Sequence, residues 1–431
     1  MTKKMKKTEI GEIPEDWELK EIGSLVEIDK KNLTKKNKFE EMGYIDINSV
    51  SEGHILNRKA MYVNNLPSRA RRLVENDDII LSTVRPNLRH FAILKNPSKN
   101  TVVSTGFAVI TATEINPDFL FYYLSTKKYT NYLVSIADSH TSAYPAFNTD
   151  VIKSSYVPFP LLPEQRAIAK ILSDLDSKIE LLQKQNQTLE EIGQAIFKHW
   201  FIDFDFPDEN GNPYKSSGGE MVYSEELGKE IPEGWEVKKL KEVVSQLKPG
   251  TNYQPKKVQS GIPFVNVRNL KNGFLDLSDV KYITDDEFLR VHKSWKPEEH
   301  DVLITRIGTL GNVAVIRKND LPIAVHYNSI DLKEKKPFSF QFIYFLLKSK
   351  AFQEKYHSKK KQSVQEYVTI DEVENLDLIL PKSERKLIFL SQIFKSLFYK
   401  LEINQNKIES LQETGDILLP KLMSGKIRVK I

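Results

Sequence analysis

The chain has no cysteine among its 431 residues. Disulfides, a thiolate zinc site and a cysteine nucleophile are excluded, and an intracellular, cytoplasmic setting fits best. No run reaches the roughly 18 apolar residues that a membrane span needs. The start MTKKMKKTEI is basic, but no apolar stretch follows it, so no secretory signal is expected. Charge of one sign is also scarce: 63 Lys and Arg stand against 58 Asp and Glu, a net +5. That excludes an acidic tail protein and a histone-like polycation. Apolar residues at 40% and aromatics at 10% suffice to bury cores, so bulk disorder is excluded too.

What the chain does have is a repeat. Glu12-Ile-Pro-Glu-Asp-Trp-Glu18 returns as Glu230-Ile-Pro-Glu-Gly-Trp-Glu236. Tyr44-Ile-Asp-Ile-Asn48 is matched by Phe264-Val-Asn-Val-Arg268, and Asp78-Ile-Ile-Leu-Ser-Thr-Val84 by Asp301-Val-Leu-Ile-Thr-Arg-Ile307. Asn116–Leu124 is matched by Phe338–Leu346. Four matches in one order at nearly one offset make the chain a tandem of two units of about 220 residues. Within each unit the first part mixes short strands and helices. Tyr44–Asn48, Asp78–Thr83 and Phe107–Thr111 read as strands. Asn116–Tyr132 reads as one helix, with Pro117 near its start. Trp17 and Trp235, at matching places, are expected to cap the two cores, and Tyr122 and Tyr123 to lie in a core.

The second part of each unit is a long helix. From 163 to 201 the only internal breaker is Gly193; from 383 to 423 the breakers are Gly415 and Pro420. The first helix carries Ile168, Leu172, Leu175, Ile179, Leu182, Asn186, Leu189, Gly193, Ile196 and Trp200 at alternating spacings of four and three. The second keeps the same register 222 residues on, from Leu390 through Leu397, Asn404, Leu411 and Gly415 to Leu422. This is the apolar seam of a coiled coil. Outside it, residues 161–201 carry five basic and six acidic side chains, a solvated face rather than a DNA-binding stripe. Either each helix packs on its own unit, or the two pair. The polar seam residues favour pairing. An antiparallel register would set Asn186 opposite Asn404, Gly193 against Leu397 and Gly415 against Leu175. At about 1.5 Å per residue, a helix of ~39 residues spans ~58 Å. The expectation is two globular units at opposite ends of a rod, reading two similar things at fixed separation, for which DNA half-sites are the obvious candidate.

Several segments resemble the specificity subunits of type I restriction–modification systems. These are Pro163-Glu-Gln-Arg-Ala-Ile-Ala169 opening the first helix, Phe197-Lys-His-Trp-Phe-Ile-Asp-Phe-Asp205 closing it, the linker from Phe206 to Met221, Gly228-Lys-Glu-Ile-Pro-Glu-Gly-Trp235, and the ending Leu418-Leu-Pro-Lys-Leu-Met-Ser-Gly-Lys-Ile427. The second helix opens with Pro381-Lys-Ser-Glu-Arg-Lys386, a departure from the Pro-Glu-Gln form. The resemblance implies an α+β chain: two similar α/β target recognition domains separated by two long antiparallel helices in a coiled coil, with pseudo-two-fold symmetry. The expected parts are residues 1–160, a helix at 161–205, a linker at 206–226, a second domain at 227–380, and a second helix and tail at 381–425. Each domain would read one half of a split double-stranded DNA target. The helices would set the spacing and dock two modification (methyltransferase) subunits, with restriction subunits joining them. S-adenosylmethionine, ATP and Mg would belong to those partners. Trp200–Asp205 would either dock a partner or pack inside the chain.

The residues agree that catalytic motifs are missing. Asn212-Pro-Tyr214 lacks the second proline of an adenine methyltransferase loop, and no phosphate-binding G-x-x-x-x-G-K-[ST] is present. The histidines show no metal-ligand spacing. DNA contacts are expected instead. Residues 58–99 hold nine basic side chains against three acidic, among them Arg58, Lys59, Arg69, Arg71 and Arg72. The loop Thr83–His90 adds Arg85, Asn87, Arg89 and His90; arginine suits guanine and asparagine suits adenine. In the second unit Arg268, Arg306 and Thr309 are the counterparts. A further loop before the last strand offers Ser139, His140 and Thr141 in one unit and Lys359, Lys360, Lys361 and Gln362 in the other. A stand-alone DNA enzyme is disfavoured by the missing motifs, and a purely structural adaptor by the basic stretch.

Overall fold

Strand formation in each unit follows from short, β-branched runs that are apolar on both sides. The computed structural model describes residues 4–34, 37–139, 145–362 and 364–430. It divides into two compact units, Met1–Leu182 with Lys407–Ile431, and Gln183–Asn406.

In the first unit an antiparallel sheet runs in the order Phe91–Ile93, Ile79–Ser82, Phe107–Ala112, Val26–Ile28. Ile79 and Leu81 face a core with the helix residues Phe119, Leu120 and Leu133. Ile80 and Val109 face a second core with Ile45 and Val103. Both faces are buried, which is why the run is apolar without alternation. A second sheet orders Lys59–Tyr62, Glu41–Ile45, Thr101–Ser104 and Ala70–Leu73, with the middle pair parallel. The second unit repeats the first sheet as Val313–Val315, Val302–Thr305, Ser329–Glu334, Val244–Pro249. It again places a parallel pair, Ile262–Val265 beside Ala324–Val325, in the other sheet.

Two expected elements differ. The first repeated strand ends at Ile45 rather than Asn48, because the Asp46 carboxylate accepts from the Ser49 N–H at 2.9 Å and starts a 3-10 turn, Ile47–Ser49. The expected single helix from 116 is two, Pro117–Leu124 and Lys127–Asp138. The break lies at Thr126, whose hydroxyl caps the second helix by accepting from the Tyr129 N–H. Trp17 and Trp235 are buried, as is Tyr122; Tyr123 is half-buried.

The long helices span Leu162–Phe197, continued by a π turn at Lys198–Ile202, and Glu384–Met423. Within the second unit they run antiparallel. Asn186 Nδ2 donates to the Leu401 carbonyl at 3.5 Å, Asn404 Nδ2 donates to Gln185 Oε1 at 3.5 Å, and the rings of Phe197 and Phe394 lie 5.9 Å apart. Within the first unit, Leu418, Leu422 and Met423 pack with Ile168, Ala169 and Leu172. The glycines do not fill the places expected of them. A Cβ on Gly193 would lie 2.1 Å from the Phe345 ring, so that ring, not Leu397, occupies its space. A Cβ on Gly415 would meet nothing within 4 Å, so Leu175, half-buried, does not pack against it.

The expected linker at 206–226 is largely part of the second unit. Phe206 is buried and stacks on Trp235 at 5.0 Å and on Tyr214 at 4.6 Å. Met221–Ser224 is a strand paired with Lys229–Pro232. Phe201 and Phe204 are buried in the same core, which places this segment inside the chain.

Candidate nucleic-acid interface

The second unit carries an open cleft of about 640 Å³. Its walls carry four cations, Lys257, Arg268, Lys271 and Lys281, and the amides Asn266, Asn312, Asn328 and Gln254. Among the described residues no carboxylate lines it. Asp276 and Asp279 engage two of the cations from outside: Lys271 at 2.7 Å and, at the 4.0 Å limit, Arg268. Among the described residues no carboxylate pairs with Lys257 or Lys281, so this side of the cleft keeps its positive charge. The local fold explains the placement. Asn266 ends strand Ile262–Val265 by capping the turn Val267–Asn269, accepting from the Arg268 N–H at 3.0 Å, and this turn presents Arg268. His326 follows the parallel strand Ala324–Val325; its ring lies 3.0 Å from Gln254, and burial holds its pKa below the ordinary histidine value.

The opposite wall is the turn Ile307–Thr309. Its counterpart in the first unit is fixed by strand pairing. Ile304 pairs with Val313 as Leu81 pairs with Phe91. Ile307 bridges Tyr367 as Val84 bridges Ala146. The Gly308 N–H donates to Glu366 O at 2.9 Å as the Arg85 N–H donates to Pro145 O at 2.8 Å. Gly308 therefore corresponds to Arg85, and Gly311 to Arg89. All four are left-handed, with φ of 83° and 78° for the glycines and 49° and 55° for the arginines. That conformation is free for glycine and costs an ordinary residue roughly 1–2 kcal/mol.

The sequence candidates fall into two groups. Several are committed to the fold. Arg306 is half-buried and donates to the carbonyls of Val368 at 3.1 Å and Tyr327 at 3.2 Å; burial lowers its pKa. It is not among the residues that line the cleft and instead braces the turn through these two carbonyls. Arg72 pairs with Asp29 at 2.8 Å, and burial lowers its pKa as well. Arg89 donates to Thr130 Oγ1 and to Ser125 O, both at 3.0 Å. The His90 ring bonds to Val50 O. Three lysines are exposed but hold ion pairs: Lys59 with Asp46 at 2.6 Å, Lys360 with Glu366 at 2.9 Å and Lys361 with Glu372 at 3.1 Å.

The remaining candidates also stand at the surface. Arg69, Arg71, Arg85, Asn87, Ser139, Lys359 and Gln362 are exposed. Arg58 is exposed too, and its guanidinium bonds to Ser98 and Asn100. Arg268 and Thr309 line the cleft. His140 and Thr141 lie outside the described residues. Sequence reading missed Lys257, Lys281, Asn266, Asn312, Asn328 and Gln254. They come from five separate segments, and no local cluster marks them. Among the described residues, no group of three or more His, Asp or Glu side chains could hold a metal ion, and no helix is long and apolar enough to cross a membrane.

Comparison with known proteins agrees with this picture. The profile of the family described as "Type I restriction modification DNA specificity domain" matches residues 14–191 and again 232–413. The chain is 31% identical to the type I restriction enzyme MjaIX specificity subunit of Methanocaldococcus jannaschii, over 99% of this chain and 96% of that one. It is 26% identical to the HindI specificity subunit of Haemophilus influenzae, over 96% of this chain and all of that one. A crystal structure of the type I restriction–modification S subunit from M. genitalium shares the fold, with a TM-score of 0.53 at 18% identity and full coverage of both chains. With two matched copies spanning most of its length, the chain belongs to the type I restriction–modification DNA specificity family, whose members specify the target and leave catalysis to other subunits.

Proposed function

We propose that each unit reads one half of a bipartite double-stranded DNA target and that the two long helices set the spacing and dock two modification subunits. Restriction subunits complete the assembly. S-adenosylmethionine belongs to the modification subunits, ATP and Mg to the restriction subunits, and the complex works in the cytoplasm. The carrying observation is the second unit's cleft: cations suited to phosphates, amides suited to base edges and, among the described residues, no carboxylate in its lining. Phosphate contacts hold the duplex without reading it; the amides, with Arg268 and Thr309, supply the donors and acceptors that distinguish base pairs in the major groove.

The test is methyl transfer by the chain reconstituted with its modification subunits on duplexes of varied sequence. Methylation is expected only when both subunits are present and only at one split motif. Methyl transfer by the chain alone, or methylation without sequence preference, contradicts the reading.

A further inference from the structure

Two matched positions of the repeat do one local task with different side chains. Val325 pairs with Val265 as Val103 pairs with Ile45, so His326 stands where the first unit has Ser104. Ser104 Oγ accepts from the Gly106 N–H at 3.2 Å, and His326 Nδ1 accepts from the Asn328 N–H at 3.4 Å. A hydroxyl suffices for this bond, which leaves the second ring nitrogen of His326 without a task in the turn. That nitrogen, Nε2, lies 3.0 Å from the Gln254 side-chain amide, and both residues line the cleft. Burial, with the Lys257 charge, holds the His326 pKa below its ordinary value, so near pH 7 the ring is neutral and carries one proton. With Nδ1 accepting, that proton is on Nε2. An amide N–H cannot face it, so Gln254 turns its oxygen to the ring; a half-turn of the amide exchanges its two ends. The Gln254 NH2 is then left for the cleft.

We infer that Gln254 is a specificity-determining residue of the second unit, its NH2 selecting a base with a keto oxygen in the major groove, guanine or thymine, and that His326 is its positioning residue. This rests on the DNA reading above. A free glutamine amide offers donor and acceptor side by side and suits adenine; here the His326 N–H takes up the acceptor end. Guanine O6 and thymine O4 accept from the remaining donor, whereas the amino groups of cytosine and adenine would meet it with a second donor. The backbone before Gln254 is held on the His326 strand. Thr251 forms a β-bridge with His326; its N–H donates to Val325 O and its carbonyl accepts from the Tyr327 N–H, both at 2.9 Å. Pro255, next in the chain, is buried. The amide is thus presented from a fixed base.

The experiment uses the full chain with its modification subunits and a duplex library randomised across both half-sites. Wild type should select guanine or thymine over cytosine and adenine at one position. Gln254→Ala should reduce that selection roughly 2- to 12-fold, the worth of one hydrogen bond, and leave the other half-site unchanged. Gln254→Glu keeps the shape but offers only acceptors, so the same position should turn to cytosine or adenine. His326→Ser keeps an acceptor for the Asn328 N–H, as Ser104 does for Gly106, and removes the Nε2 proton. The freed amide then presents either end, so adenine should be admitted at that position while the rest of the motif stands. A keto preference that survives Gln254→Ala, or a motif without such a position, overturns the assignment. A preference that Gln254→Ala relaxes but His326→Ser leaves intact overturns the positioning role. The DNA reading stands in each of these cases. A wild-type complex with no preference in either half-site overturns it as well.

Discussion

The Asn404 side-chain amide, 1% exposed, lies 3.5 Å from the Gln185 side-chain oxygen. A neighbouring contact joins Asn186 to the Leu401 carbonyl at the same distance, while Asn186 Oδ1 is buried without a partner. Bonds this long are weak, so the polar seam specifies register more than it adds stability. Replacing both asparagines by leucine should raise stability by about 1–2 kcal/mol, because two buried amides are removed together. Thermal unfolding measures it; a lower midpoint would show the amides to be net stabilising.

The two helix glycines should respond oppositely. Gly193→Ala drives a methyl into the Phe345 ring, which is fully buried, and should cost about 1–3 kcal/mol. Gly415→Ala meets nothing within 4 Å and should stabilise the helix by about 0.5–1 kcal/mol. Denaturant unfolding of the two single variants checks both signs.

Tyr344 is fully buried, and its hydroxyl donates to Glu190, which also pairs with Lys348 at 3.0 Å. Tyr344→Phe leaves that carboxylate short of a donor and should cost about 1–3 kcal/mol. An unchanged unfolding midpoint would show that Lys348 alone satisfies Glu190.

His292 is 1% exposed and accepts from the Val325 N–H at 3.2 Å, and burial pushes its pKa down to about 4. The folded state therefore holds the neutral ring, while the unfolded chain binds a proton near the ordinary value of 6.5. Its stabilising effect is complete above pH 6.5 and falls away as pH drops from there toward 4. The stability difference between wild type and His292→Asn should shrink over that window. A difference independent of pH would contradict the neutral assignment.

The repeat, the seam and the antiparallel sense of the helices were legible in the sequence because they depend on local periodicity and on one offset; the contacts of Gly193 and Gly415 were not. The interface was less so. Lys59 and Arg72 looked available, yet Asp46 and Asp29, distant in sequence, are paired with them. Arg306 looked like the partner of Arg85. The strand register instead matches Arg85 to Gly308, at the same offset that relates Asp78–Val84 to Asp301–Ile307, which leaves Arg306 opposite Thr83. The cleft of the second unit gathers residues from 254 to 365, a juxtaposition that only folding creates.

The cleft cations also carry a prediction. Lys257→Ala and Lys281→Ala should each weaken DNA binding without changing the preferred sequence and reduce the salt slope by about one. Arg306→Ala should instead lower the unfolding midpoint, since it leaves two carbonyls without their donor. Salt-titrated binding and thermal unfolding separate the two kinds of residue.

The most direct measurement is genome-wide mapping of methylated adenines in cells carrying this chain with its modification subunits, before and after residues 227–380 are exchanged for those of another family member. The account predicts a split motif of fixed spacing in which the exchange alters one half and leaves the other half and the spacing intact. A continuous motif, or an exchange that alters both halves, would contradict it.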